Sequence, residues 1–272
     1  MLELFDTHCH IQSAGLKVGE RSTRELWAKA PELTGDQLVA NAAEAGVTGL
    51  ICVGCDHEDS QLAIDFAKTR DICWASVGIH PHEAQHYAGN ADKQAKFASL
   101  AVQHKVVAVG ECGLDYYYEH SPKAAQIELL KFQIELALKH DLPLIFHVRE
   151  AFDDFWPIFD SYAGIRGVLH SFTDTAENLA KAMERGLYIG VNGIATFAKD
   201  PAQIEVYRTI PLQKLLLETD APFLTPTPYR GTINESKRVG TIAEFMANLR
   251  RDENLENLAA TTTSNARALF GI

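Results

Sequence analysis

What this 272-residue chain lacks narrows its reading first. No apolar run approaches the roughly 18 residues of a membrane span, and no signal peptide opens it, so we expect a cytoplasmic protein with no membrane partner. Basic residues are in deficit: 25 Lys and Arg stand against 36 Asp and Glu, a formal net charge of −11, and none of the basic residues form a run. A wide electrostatic grip on duplex nucleic acid needs a basic face and is therefore not expected. A small acidic pocket that holds cations can still receive a phosphate, because the ions carry the positive charge. The five cysteines are an odd number and build no dense framework, which suits a reducing compartment. Cys52 and Cys55 have C-x-x-C spacing but end a strand-like run, where alternation would turn the thiols to opposite faces; we read both as plain buried cysteines. Linkers, low-complexity stretches and helical repeats are also lacking, so residues 1–272 are read as one domain.

What is present is an alternation of short apolar runs with longer amphipathic ones. With 46% hydrophobic residues the chain can bury a full core. The first apolar run is Leu2 to Phe5. Strands are expected over Thr48 to Val53, Ile72 to Val77, Val106 to Gly110, Pro143 to Phe146, Gly167 to Leu169, Leu187 to Val191 and Lys214 to Leu217. Helices are expected over Thr34 to Ala45, His57 to Lys68, Ala91 to His104, Lys123 to His140, Phe152 to Tyr162, Ala176 to Arg185 and Ala202 to Thr209. The helix Lys123 to His140 shows an apolar stripe at Ile127, Leu130, Ile134 and Leu138. Two further helices, Glu235 to Leu249 and Glu253 to Phe270, close the chain, the second interrupted around Thr261 to Thr263. The polar segment Gln12 to Pro31 has no assignment; a lid and a simple insertion both fit it. Eight strands alternating with helices argue for an α/β fold, a (β/α)8 TIM barrel with C-terminal helices. A doubly wound open sheet is disfavoured, since no glycine-rich phosphate turn follows the first strand.

The polar residues able to bind metal fall at the ends of those strands. In an extended chain, His8 and His10 point to one side and can aim both imidazoles at one ion. Glu111 follows the fourth strand, His147 the fifth, His170 the sixth and Asp220 the eighth. In a barrel these ends meet at one mouth, the face where catalytic groups sit. Taken singly, each histidine can be a hydrogen-bonded core residue, and Asp220 a helix cap. Six such residues at equivalent places are better explained together. They exceed one tetrahedral ion and fit two divalent ions, zinc, manganese or magnesium, with Glu111 as the carboxylate between them. Mixed nitrogen and oxygen donors favour zinc, manganese or iron over calcium.

The stretches Phe5-Asp6-Thr7-His8-Cys9-His10, Gly78-Ile79-His80-Pro81-His82, Gly110 to Tyr117, Leu169-His170-Ser171-Phe172 and Leu217 to Pro222 resemble the TatD family of metal-dependent deoxyribonucleases. The resemblance covers nearly the whole chain. It implies one metal site of His8, His10 and Asp220, a second of His147 and His170, and a shared Glu111. It also implies hydrolysis of DNA, with a 3′-to-5′ exonuclease as the expected activity. Cys112, Val148 and the run Asn234-Glu235-Ser236 depart from the family's usual residues, and the segment after His10 is longer than usual; none of these is a proposed ligand.

The expected chemistry is hydrolysis of a phosphodiester by a water that two cations activate. Asp220 orients that water and takes its proton, and Glu111 fixes the spacing of the ions. His80 either binds the phosphate or is a turn histidine before Pro81. Arg149, two residues past His147, either contacts phosphate or pairs with a carboxylate. Glu218 is placed behind the ligands, bonded to a ligand histidine. Tyr116, Tyr117 and Phe172 are candidates for stacking on bases. The acidic surface favours few contacts, near the end of a single strand of DNA. A metal-dependent deacylase or amidohydrolase, acting for instance on a misacylated tRNA, is the alternative. A non-catalytic barrel would predict damaged ligands, and all six are intact.

Overall fold

Eight extended runs alternate with helices along the chain, as the hydrophobic pattern requires. The computed structural model describes residues 2–118, 120–251 and 253–272. The strands are β1 (Leu4–Cys9), β2 (Val47–Val53), β3 (Cys73–Val77), β4 (Val106–Asp115), β5 (Leu144–Arg149), β6 (Gly167–Leu169), β7 (Tyr188–Val191) and β8 (Leu215–Leu217). The helices are α1 (Arg21–Trp27), α2 (Gly35–Glu44), α3 (His57–Lys68), α4 (Ala91–Ala98), α5 (Lys123–Lys139), α6 (Phe152–Asp160), α7 (Ala176–Glu184), α8 (Pro201–Thr209), α9 (Val239–Arg250) and α10 (Leu255–Phe270). The strands follow one another in sequence order within one eight-stranded sheet, the arrangement of a (β/α)8 barrel. Side chains start the helices where the sequence offers short acceptors: Thr34 caps α2, Asp56 caps α3, Thr175 caps α7 and Asn254 caps α10. Among the described residues no helix is long and apolar enough to cross a membrane. Contacts divide the chain into two compact units, Met1–Cys52 with Ser171–Ile272, and Val53–His170.

In the first unit, β1 runs parallel to β2 and β7 parallel to β8. The chain leaving β8 returns along β1: Asp220 N donates to His8 O at 2.8 Å, and His10 N donates to Ala221 O at 2.7 Å. The segment Gln12 to Pro31 is not formless. A 3-10 turn, Ile11–Ser13, leads into α1, whose Trp27 is buried and donates from Nε1 to His10 O at 2.9 Å. The insertion is thereby anchored to the strand that bears the first two histidines. Helix α10 is continuous, contrary to the interruption expected at Thr261 to Thr263. Those hydroxyls find acceptors without breaking the helix: Thr262 Oγ1 donates to Leu258 O one turn back, and Thr263 Oγ1 donates to Glu3 O.

In the second unit, β3, β4, β5 and β6 pair in parallel. Two strands outrun their expected ends. β4 continues to Asp115 and β5 to Arg149, because Cys112 to Asp115 pair residue by residue with Phe146 to Arg149. Glu111 and His147 therefore lie within strands, not just beyond them. Helix α4 is shorter than the Ala91 to His104 pattern, tightening into a 3-10 turn at Ser99–Val102. Helix α5 buries Gln126, Leu129, Leu130, Gln133, Ile134, Leu136 and Ala137, so the inward stripe is rotated from the one expected and includes two glutamines. Gln133 brackets Ile79, accepting from its N–H at 2.7 Å and donating to its carbonyl at 3.0 Å. Gln126, two turns earlier, does the same for Asp115 at 2.8 and 3.1 Å. These buried amides replace ladder bonds where β3 and β4 end.

Candidate metal centre

Register irregularities sit beside two of the proposed ligands that lie within strands, His8 and Glu111. Between Asp6 and Cys9, β1 has one residue more than its partner span Leu50 to Cys52. Between Val109 and Cys112, β4 has one more than Leu144 to Phe146. Bulges of this kind locally re-aim a side chain. They account for the change of side-chain direction at His8 and Glu111, both of which present polar groups at buried positions.

In the first unit, three donor atoms converge. His8 Nε2 and His10 Nε2 lie 3.2 Å apart. Asp220 Oδ1 stands 3.3 Å from His10 Nε2 and 3.7 Å from His8 Nε2. Asp220 has φ 58°, a left-handed turn that a short polar residue tolerates. Behind it lies a clamp that sequence reading passed over. Asp6 is fully buried and accepts from Thr219 N at 2.8 Å and Thr219 Oγ1 at 2.6 Å. Burial pushes the Asp6 carboxyl up to about 7, although the bonds from Thr219 and His8 N pull the other way. Asn234 donates to Thr219 O and Phe223 O at 2.9 and 2.7 Å, holding the turn from its other side. Glu218 accepts from Ser171 N at 2.6 Å and from Asn192 Nδ2 at 3.3 Å, so it joins the ends of β7 and β8 to the residue that follows His170.

In the second unit, three imidazole nitrogens surround one carboxylate oxygen. Glu111 Oε1 lies 2.8 Å from His147 Nδ1, 3.0 Å from His170 Nε2 and 3.6 Å from His80 Nε2. The opposite nitrogen of His147, Nε2, bonds Asp115 Oδ2 at 3.0 Å, and His82 Nε2 reaches the same oxygen at 3.0 Å. Asp115 Oδ1 accepts from Tyr117 N and Tyr118 N, both at 3.0 Å. Burial alone would raise the Asp115 carboxyl, but the bonds from His147, His82 and Tyr118 N outweigh it and hold it well below the usual carboxylate range. Burial likewise disfavours protonated His147, and its bonds to Asp115 and Glu111 overcome that and raise its pKa. His80 goes the other way: its burial dominates and depresses it well below the histidine range, so the ring is neutral. His80 Nδ1 accepts from His82 N at 3.1 Å, which leaves the proton on Nε2, facing Glu111. Gly78 makes room for this arrangement; a Cβ there would fall on the backbone of Gly110 and Glu111.

Both clusters suit divalent cations by their donor chemistry. Ligand atoms about 2.1 Å from one ion sit roughly 3.0 to 3.4 Å from each other; His8–His10 at 3.2 Å, His10–Asp220 at 3.3 Å and His170–Glu111 at 3.0 Å have that spacing, and the other pairs, at 2.8 to 3.7 Å, lie close to it. His80, Glu111 and His147 each offer a donor atom within 4.8 Å of the others. Two imidazole nitrogens facing each other at 3.2 Å need a proton or a cation between their lone pairs. A proton in that position, or between His147 and Glu111, is what a cation would displace.

The remaining expected residues divide. Arg149 ends β5 and is exposed, its guanidinium 4.0 Å from the centre of the Tyr117 ring and 4.8 Å from that of Tyr118. Phe172 does not serve as a base-stacking surface: it is 3% exposed and packs in the core. Tyr116 is also engaged, its hydroxyl donating to Asp154 at 2.7 Å and its ring covered by Lys123 at 4.0 Å. Cys52 and Cys55 are buried and outside any disulfide, as expected. Asp115 and His82 were the chief omissions. Both stand inside the quoted motifs, and the i, i+4 offset of Asp115 from Glu111 offered no signal until β4 proved to run through both.

Comparison with known proteins agrees with this geometry. Residues 5–271 match the family described as TatD related DNase. The chain is 34% identical over 271 residues to a Bacillus subtilis (strain 168) protein named an uncharacterized metal-dependent hydrolase, YabD, with 99% of each chain covered. It is 36% identical over 246 residues to the 3′-5′ ssDNA/RNA exonuclease TatD of Escherichia coli (strain K12), covering 87% of this chain and 93% of that one. The crystal structure of YJJV, a TatD homologue from E. coli K12, superposes with a TM-score of 0.83 at 26% identity, covering 99% of this chain and 98% of that one.

Proposed function

Starting from the chain's membership of the TatD-related DNase family, and hence from a metal-dependent hydrolase, we propose that it is a 3′-to-5′ exonuclease that removes nucleotides from single-stranded DNA. The observation that carries the reading is Glu111 Oε1 with three imidazole nitrogens around it at 2.8, 3.0 and 3.6 Å. In the proposal one ion would be held by His8, His10 and Asp220 and a second by His147 and His170, with Glu111 as the carboxylate available to both. Bound divalent ions lower the pKa of a water and offset charge on a phosphoryl group.

The chain's own groups then have separate tasks. Asp220 is partly open to solvent, with its side chain 15% exposed, and takes the proton of the attacking water. Glu111 is 4% exposed; in the proposal it would fix the spacing of the ions, and it has no proton to give while ionised. Neutral His80 offers its Nε2–H to a phosphoryl oxygen, a hydrogen bond that gains strength as charge develops there. Arg149, at the exposed end of β5, contacts a phosphate of the strand. Glu218 and Asn192 stiffen the turn after β6 through Ser171. The formal charge of −11 supports a short phosphate footprint in place of an extended one, so the rate should depend only weakly on salt.

The test is metal content measured beside the degradation of defined single strands labelled at either end, for wild type and Glu111→Ala. The reading expects up to two ions per wild-type chain, shortening from the 3′ end, and loss of both an ion and the hydrolysis in the variant. Turnover of an aminoacyl ester with none of the strand, under the same metal conditions, would replace the nuclease with the deacylase.

A further inference from the structure

Beyond β4 the chain carries three consecutive tyrosines, and they have different fates. Tyr116 is tied down by Asp154 and Lys123, whereas Tyr117 and Tyr118 stay 53% and 50% exposed. Their backbone is fixed from below: both N–H groups are held by Asp115 Oδ1, the carboxylate whose other oxygen bonds His147 and His82. The far side of the loop is pinned as well. Ser121 Oγ donates to His82 O at 2.7 Å, and Gln126 Nε2 donates to Ser121 O at 2.9 Å. The rings therefore stand on a loop held at both ends.

Across them lies Arg149. Its guanidinium packs over Tyr117 and Tyr118 and forms no ion pair among the described residues. Among the described residues this exposed guanidinium meets rings and no carboxylate, in a chain with an excess of 11 acidic residues. Tyr118 is also parallel to His120, 5° apart in plane at 5.7 Å, and edge-on to His82 at 5.6 Å. Tyr117 and Tyr118 meet edge to face, 89° apart in plane at 4.8 Å, so the surface is a corner of two half-exposed rings; such a ring beside a cation is a combination that binds unpaired nucleotides, the ring taking the base and the cation its phosphate. The path from this surface to Glu111 runs through three side chains in contact, His82, Asp115 and His147.

We propose that Tyr117, Tyr118 and Arg149 form a ledge on which an unpaired nucleobase stacks while its phosphate meets the guanidinium, beside the Glu111 and His147 cluster. This rests on the nuclease reading and deepens it. It makes the substrate a strand whose end is single, because a paired base has no free face to lay on the ledge. It also makes the selection indifferent to base identity, since stacking uses a face every base has.

The experiment compares two oligonucleotides that differ only at the 3′-terminal residue, one bearing an ordinary base and one abasic. KM and kcat are measured for wild type, Tyr118→Leu and Tyr118→Phe, and the thermal midpoint of each protein is recorded. For wild type the abasic end should have a KM about 10-fold higher, the scale of one stacked base. In Tyr118→Leu that ratio should fall to about 1, with kcat on the base-bearing strand changed less than about twofold; Tyr118→Phe should restore the ratio. Equal KM values for both ends in wild type, or an unchanged ratio in Tyr118→Leu, overturn the ledge while leaving the nuclease standing. If no strand is cut at all, the nuclease reading fails separately. The ledge is then judged by fluorescence anisotropy of the same two oligonucleotides in chelator, where equal affinities overturn it and a preference for the base-bearing end, lost in Tyr118→Leu, supports it.

Discussion

Asp115 decides which way His147 faces: its Oδ2 holds the ring's Nε2 at 3.0 Å, so Nδ1 is the nitrogen turned to Glu111. A histidine whose remote nitrogen is bonded to a carboxylate is fixed in tautomer and ring angle and is a more basic ligand. Asp115→Asn keeps an oxygen for the N–H groups of Tyr117 and Tyr118 but removes the charge that His147 and His82 share. Affinity for one of two ions should fall about 10- to 100-fold, with the other ion little changed. Calorimetric titration of metal-free protein with zinc or manganese checks this, and two unaltered binding steps would count against it.

Asp6 predicts a pH dependence in the metal-free protein. Its folded pKa, pushed up to about 7 by burial, lies above the roughly 3.9 of an exposed aspartate. The neutral acid is the form the fold prefers. The associated stability is therefore full below about pH 4 and is lost as pH rises through about 7. Asp6→Asn should remove this contribution. Urea unfolding of both proteins in chelator, from pH 5 to 8, should show wild type losing ground relative to the variant as pH rises. Parallel curves would mean that Asp6 titrates normally.

The periodicity of the chain was enough to place all eight strands and the main helices, because each buried element is marked by an apolar run and most helices by a side-chain cap. The six proposed ligands stood out for the same reason, as polar residues that interrupt or end an apolar run. What could not be read depends on pairing between distant segments. The continuation of β4 through Glu111 to Asp115 is imposed by β5, since Glu-Cys-Gly-Leu-Asp has no strand pattern of its own. The bulges beside His8 and Glu111 exist only in register with β2 and β5. Asp6 and Thr219 are 213 residues apart, and nothing local marks them as partners. Gln126 and Gln133 have helical spacing, but an apolar criterion places glutamine on the outer face.

Gln133 is the sharpest test of that last point. Among the described residues it is the partner of both backbone groups of Ile79, the residue before His80, and it is fully buried. Gln133→Leu keeps the volume and increases the apolar character, so a packing role predicts a neutral or favourable change. The hydrogen bonds predict the reverse: two buried backbone groups left unpaired should cost about 3 kcal/mol. Urea denaturation should show a lower midpoint at constant slope, and an unchanged midpoint would assign Gln133 to packing alone.

Gly78 and Gly89 separate crowding from backbone conformation. A Cβ at Gly78 would meet the nitrogen and carbonyl oxygen of Glu111, which are backbone atoms with nowhere to go; at Gly89, with φ +68°, a Cβ meets nothing within 4 Å. Gly89→Ala should therefore cost only the strain of a left-handed alanine, about 1 kcal/mol. Gly78→Ala forces β3 and β4 apart at Glu111, with a cost of about 3 kcal/mol and a displaced carboxylate. The expected pattern is hydrolysis retained in Gly89→Ala and reduced at least 10-fold in Gly78→Ala. Metal bound per chain should fall in the second variant alone, at a temperature where circular dichroism shows both to be folded. Equal metal content in the two would mean that Glu111 tolerates the movement of its strand, and that the close approach of Gly78 to β4 serves packing and not the site.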